Sequence, residues 1–173
     1  MEIDLKRYIR EIPDFPSPGI LFRDITPLLQ APDVFQHVVD RFTEEVQEED
    51  LDAIVSIESR GFLFGAPLAY KLGIPLIPVR KPGKLPAAHM SVEYSLEYGT
   101  GQLDIHNDAL KSGDRVVIMD DLLATGGTAI AAAKLVELLG AKIERLTFLL
   151  ELRGLDGREK LRGYRVTSLI AYD

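Results

Sequence analysis

An α/β fold, with a mostly parallel twisted sheet flanked by helices, is the class this sequence predicts, and three observations predict it. Short, mainly apolar runs recur at 53–57, 76–79, 116–119 and 143–150. Segments of helical period fall among them, at 62–72 and 128–139. Glycine closes each of those helices, at Gly73 and Gly140. Strands without polar alternation are buried on both faces, and strand–helix alternation supplies the covering helices.

Taken in chain order, Leu5, Tyr8 and Ile9 have helical spacing, so residues 4–11 read as a short helix. Pro13, Pro16, Pro18 and Pro27 with Gly19 make 12–29 an ordered loop, because Phe15, Ile20, Leu21, Phe22 and Ile25 need burial. Pro32 suits a first helical turn, and Phe35, Val38, Val39, Phe42 and Val46 share one face of the helix that follows. Ala53–Ile57 is a strand, with Glu58-Ser59-Arg60-Gly61 a tight turn leaving it. Phe62–Leu72 is a helix stopped by Gly73, and Leu76–Val79 the next strand. Residues 80–101 collect basic side chains, glycine, proline and tyrosines; so long a connection reads as a mobile functional loop. Val116–Met119 is a strand, Asp120–Gly127 a turn and Thr128–Leu139 a helix. Ile143–Leu150 is the last central strand and Val166–Ala171 an edge strand. A chain of 173 residues fits one domain. Residues 1–30 are expected to form a small N-terminal hood and 31–173 the core.

Composition narrows the function. The net charge of −7 argues against a general nucleic-acid binder, which needs a basic face. Without cysteine there are neither disulfides nor thiolate metal sites, which suits a cytoplasmic protein. No apolar run reaches the ~18 residues of a membrane span, and the charged N-terminus lacks the apolar stretch of a signal peptide. An acidic protein that binds an anion must concentrate positive charge locally, as Arg80, Lys81 and Lys84 do.

The strongest signal is VVIMDDLLATGGT at 116–128. An apolar strand ends in Asp120 and Asp121, and a Thr-Gly-Gly-Thr turn opens a helix. In open α/β sheets, ligands bind beyond the carboxyl ends of the strands. A glycine-rich turn into a helix presents backbone N–H groups and the positive end of the dipole to a phosphate. Gly126 and Gly127 allow close backbone approach, and Thr125 and Thr128 add hydroxyl donors. Carboxylates repel phosphate but accept hydrogen bonds from sugar hydroxyls. Asp120 and Asp121 therefore suit the 2- and 3-hydroxyls of a ribose whose 5-phosphate lies in the turn. Neither G-x-x-x-x-G-K-[ST] nor G-x-G-x-x-G is present.

This string resembles the 5-phosphoribosyl-1-pyrophosphate (PRPP) motif of the type I phosphoribosyltransferases. Three further segments extend the likeness over nearly the full length, to the adenine-specific branch of that family: FPSPGILFRDITPLL at 15–29, IESRGFLFGA at 57–66, and RKPGKLP at 80–86 with YSLEYG at 94–99. The resemblance implies the type I phosphoribosyltransferase fold and the reaction adenine + PRPP → AMP + pyrophosphate, in purine salvage. It assigns Arg60, Arg80 and Lys84 to the pyrophosphate end, with Tyr98 and the 120–128 string, including Ala124, completing the PRPP and AMP contacts. Backbone groups of Leu21, Phe22 and Arg23 would pair with adenine, while Phe22 and Leu122 contact its faces. Glu97 would manage a proton near N7, and Asp120 and Asp121 join it as catalytic candidates. Magnesium would be held mainly through PRPP and water, with no direct protein ligand. A homodimer is implied, and 80–99 would close over the reactants. Two alternatives stay open: a phosphoribosyltransferase for another base, and a PRPP sensor that binds nucleic acid or protein. The charge of −7 and the lack of spare length weigh against the sensor. His37, His89 and His106 have no ligand-like spacing and read as solvated.

Overall fold

The computed structural model describes residues 3–96 and 99–173. The chain divides into two compact units, Met1–Glu45 and Val46–Asp173.

In the first unit a single 3-10 turn, Leu5–Tyr8, leads into strand β1 (Arg10–Pro13), which pairs antiparallel with β2 (Leu21–Asp24). The expected helix over 4–11 and the expected loop over 12–29 are both corrected here. Ile12 pairs with Phe22 across the hairpin, and Arg10–Asp24 (3.2 Å) and Arg23–Glu11 tie the strands by charge. Such cross-strand partners lie outside any helical window. The Phe15 and Phe22 rings meet edge-to-face, centroids 5.1 Å apart. A short helix, α1 (Thr26–Leu29), precedes α2 (Pro32–Val46). Val38, Val39, Phe42 and Val46 of the stripe read from the sequence are buried, but Val34, which that reading left out, joins them, and Phe35 is only half-buried.

The second unit is built on a parallel sheet. Among the described residues its strands are β3 (Ala53–Ile57), β4 (Leu76–Val79), β7 (Arg115–Leu123), β8 (Lys142–Leu152) and β9 (Val166–Tyr172), in the order β4-β3-β7-β8-β9. A separate antiparallel hairpin joins β5 (His89–Ser95) to β6 (Thr100–His106). Helix α3 (Phe62–Leu72) ends where Gly73 takes a φ of +68°. Helix α4 (Gly127–Leu138) follows β7, and the short α5 (Gly157–Lys160) follows β8. Alternation along β3 sorts the layers: Val55 and Ile57 belong to one core with the alanines of α4 and with Leu103 and Ile105 of β6. Ser56 points the other way, against Gly65 of α3. Helices α3 and α4 therefore cover opposite faces of the sheet.

Two further readings are corrected in this unit. Much of 80–101 is strand rather than loop, because β5 pairs with β6 from His89–His106 to Ser95–Thr100. Residues Asp120–Leu123 continue β7 instead of turning, since the parallel ladder runs on through Leu122–Leu150 and Leu123–Glu151. Two of the three histidines differ from the solvated reading, while His89 is exposed as expected. His37 is half-buried with its Nε2 enclosed, and His106 accepts the Ala87 N–H at 3.4 Å. His89 lies 3.7 Å from the carboxylate of buried Asp104.

Candidate active site

Strands β3 and β7 are parallel neighbours, with Ser56 level with Met119. Their carboxyl ends deliver Glu58-Ser59-Arg60 and Asp120–Thr128 to the same edge of the sheet, where ligands of open α/β folds bind. A cavity of about 400 Å³ opens there, lined by Glu58, Ser59, Arg60, Lys81, Tyr94, Leu103 and residues 120–129. The Glu58–Ser59 peptide bond is cis.

The turn at 124–127 converts strand into helix. Gly126 supplies a φ of +81°, and α4 starts without a side-chain cap. The first helical bond closed is Ile130 N–H to the Gly126 carbonyl, at 3.0 Å. The N–H groups of Gly127, Thr128 and Ala129, which a helix leaves unpaired at its start, belong to residues lining the cavity. The positive end of the α4 dipole points the same way. Across the turn, the Tyr94 ring and Ser95 carbonyl come within 3.4 and 3.2 Å of where a Cβ on Gly127 would lie. The end of β5 thus forms part of the wall.

The cavity wall carries paired opposite charges. Asp121 Oδ2 is 2.8 Å from Arg60 Nε, and the Asp121 N–H donates to Asp120 Oδ1 at 2.8 Å. Burial, and then the neighbouring charge of Asp121, push the Asp120 carboxyl well above its usual range. Burial raises Asp121 too, against the opposing pull of Arg60. Glu58 behaves differently. Partial burial acts to raise it, but the Lys81 N–H at 2.8 Å and the Arg80 guanidinium at 3.3 Å together hold it below the usual range. Unpaired amides beside a cation and two acidic groups can hold a phosphorylated polyol: amides for the phosphate, carboxylates for the hydroxyls.

Most residues singled out in the sequence meet at this cavity: Arg60, Asp120, Asp121, Leu122, Ala124, Thr125, Gly126, Gly127 and Thr128 all line it. Arg80 and Lys84 do not. Arg80 is turned to Glu58, and exposed Lys84 acts on the same carboxylate through its charge. Leu21, Phe22 and Arg23 stand on β2 of the first unit. Glu97 and Tyr98 lie outside the described residues. Sequence reasoning gave no site role to Glu58 or Tyr94, and counted Lys81 only as part of the positive cluster. Lys81 was visible in the basic cluster, whereas Tyr94 reaches the wall through hairpin pairing that no local pattern announces.

Residues 24–170 match the phosphoribosyl transferase domain. An adenine phosphoribosyltransferase from Carboxydothermus hydrogenoformans is 61% identical over 170 residues, covering 98% of this chain and 100% of that protein. The crystal structure of adenine phosphoribosyltransferase from Thermoanaerobacter pseudethanolicus is 56% identical, with a TM-score of 0.95 over 98% of both chains. The enzyme from Saccharomyces cerevisiae, complexed with D-2,5-dideoxy-2,5-imino-altritol 1,6-bisphosphate and adenine, is 44% identical with a TM-score of 0.91 over 96% of both chains. With its fold, its strand-end carboxylates and its full length all in agreement, the chain belongs to the phosphoribosyl transferase family and, within it, to the adenine phosphoribosyltransferases.

Proposed function

We propose that the chain catalyses adenine + PRPP → AMP + pyrophosphate, the salvage of a free purine base to its nucleotide. The observation that carries this reading is the convergence of the 124–128 turn, Asp120, Asp121 and Arg60 on one cavity. In this reading the amides and hydroxyls of Thr125–Thr128 hold the 5-phosphate. Asp120 and Asp121 accept hydrogen bonds from the ribose hydroxyls. Arg60 lies toward the pyrophosphate, and Arg80 and Lys84 join it when the ligand's charge competes with Glu58 for them. Lys81, already at the wall, adds a further cation.

The reaction forms a bond from the anomeric carbon to N9 of adenine as the bond to pyrophosphate breaks, its electron pair leaving with the pyrophosphate. Positive charge develops on the sugar, where the nearby carboxylates favour it. Glu97 is assigned to proton transfer near N7 and Tyr98 to the PRPP contacts. Leu21, Phe22 and Arg23 are assigned to the base: the backbone pairs with the N6 donor and N1 acceptor of adenine. A 6-oxopurine reverses that pattern, at a cost of about 1–3 kcal/mol per unpaired group. Leu122, at the cavity wall, is assigned to a face of the base. The hard carboxylate oxygens of Asp120 and Asp121 suit magnesium held through water and PRPP rather than by a full protein cage. When bound, magnesium neutralises charge on the leaving group.

We read 1–173 as a single catalytic domain, with 1–30 supplying the base-binding segment. A homodimer is part of the same reading, and exposed Leu63 and Tyr70 on α3 offer it an apolar surface. So is a cytoplasmic location, which the cysteine-free sequence supports. No described helix is long and apolar enough to cross a membrane. The test is pyrophosphate release from PRPP with adenine, hypoxanthine and guanine compared side by side. Adenine should turn over fastest. Faster turnover of guanine removes the base assignment, and no release with any base removes the reaction.

A further inference from the structure

The segment after β8 has no part in the reaction as described, yet it lies directly behind the 124–127 turn. Glu151 is 2% exposed and pairs with Leu123 at the end of the β7–β8 ladder. Arg158 grips its carboxylate with both arms, Nε to Oε1 at 2.5 Å and Nη2 to Oε2 at 2.7 Å. Ser168 Oγ donates to the same carboxylate at 2.6 Å, and Arg158 Nη1 donates to the Val166 carbonyl at 3.0 Å. A buried carboxylate left without such partners is strongly destabilising, so this group holds one arrangement.

The arrangement places Gly157 flush against the turn. A Cβ on Gly126 would lie 2.6 Å from the Gly157 carbonyl oxygen. A Cβ on Gly157 would collide with the Ala124 carbonyl oxygen and lie 2.9 Å from Leu123 Cδ1. Two glycine backbones are thus in contact, one carrying the cavity's amides and the other pinned from outside by Arg158.

We infer that Gly157, held by the Glu151–Arg158–Ser168 group, is a positioning residue that fixes the amides of the 124–127 turn for the 5-phosphate. The inference rests on the reading that this turn takes that phosphate. Preorganised donors act only when aimed, and a displacement on the order of 1 Å can cost about a hundredfold.

Gly157→Ala should raise the KM for PRPP by about 10- to 100-fold while the KM for adenine at saturating PRPP stays within twofold. Glu151→Gln and Arg158→Gln should move the PRPP KM the same way by less. Arg158→Lys should recover part of the loss, and the double variant should lose no more than the worse single variant, because the two side chains act as one. These last variants keep the inference testable if Gly157→Ala does not fold. An unchanged PRPP KM across the set overturns it, as does a parallel rise in both KM values, which would mark general loosening. Calorimetry with ribose 5-phosphate separates the two levels. If Thr125→Val/Thr128→Val weakens ribose 5-phosphate and the Gly157 and Glu151 variants do not, only the positioning role falls. If none of them weakens it, the phosphate assignment falls as well.

Discussion

The carboxyl ends of β3 and β7 lie side by side and treat their acids in opposite ways. Asp120 and Asp121 on β7 are buried together, and the fold raises both above the usual carboxylate range. Glu58, immediately after β3, is held below its usual range by the Lys81 N–H and Arg80 in spite of partial burial. A group whose ionised form the folded protein disfavours is poor at stabilising the ligand-free state. It is well suited to meeting a ligand that brings hydrogen-bond donors and charge of its own. A group already satisfied by protein donors has a structural task, here fastening the start of the basic segment 80–84. On the proposed reading, Asp120 and Asp121 meet the ligand and Glu58 supports the basic segment, and the opposite directions of their shifts accord with that division although all three acids line the same cavity.

The sharpest way to break this distinction is Asp121→Asn. The substitution removes the charge facing Arg60 at 2.8 Å and weakens acceptance from a sugar hydroxyl. A hydrogen bond to a charged group contributes about 1.5–3 kcal/mol, so kcat/KM for PRPP should fall roughly 10- to 100-fold. Unchanged steady-state kinetics would leave Asp121 as a structural partner of Arg60 alone. Asp120→Asn should have the next largest effect, on stability. The native carboxyl lies above its unfolded value of 3.8, so the native state keeps a proton that the unfolded chain has lost. Its contribution is most favourable below pH 3.8 and is lost as pH rises toward the raised native value. An asparagine removes that loss. The ligand-free variant should melt higher at neutral pH, by about 2–4 °C for each 1 kcal/mol recovered, and bind PRPP more weakly. Scanning calorimetry across pH 5–8 without ligand checks it, and a lower melting temperature for the variant would contradict the shift.

How much of this was legible in the sequence follows from how local each signal is. The strand Ala53–Ile57, the helix Phe62–Leu72 with its Gly73 stop, and the strand Leu76–Val79 stand where the pattern put them. Their apolar runs and stop residue sit within the element itself. Both hairpins escaped. Residues 89–95 are exposed at every second position, and the partners that make them a strand lie from 100 to 106. Asp120–Leu123 read as a turn because two acids resemble a loop, while β8 supplies the pairing that extends the strand. The cavity divides along the same line. Residues 120–128 and Arg60 were legible because each comes just after an apolar run in the sequence. Tyr94 was not, because hairpin pairing brings it in, and Arg80 was assigned to the ligand without sight of Glu58, its partner in the structure.

Glu58→Gln completes the comparison with the smallest effect. The amide oxygen can still accept the Lys81 N–H, so what is lost is the charge facing Arg80 and the weak Nη2–Oε1 hydrogen bond of 3.4 Å from Arg80, itself about one-third exposed. Screening limits such a pair to about 1 kcal/mol or less. The pH dependence has the opposite sign to that of Asp120. Glu58 has a native value below its unfolded 4.5, so its contribution is fully present above that pH and is lost as pH falls through the native value. The glutamine variant should therefore be slightly less stable than the parent at neutral pH, and the two should converge in acid. Arg80 would be released from its carboxylate partner, so PRPP affinity should hold or rise slightly. An affinity drop as large as that of Asp121→Asn would show that Glu58 touches the ligand, and the two strand ends would then share one role.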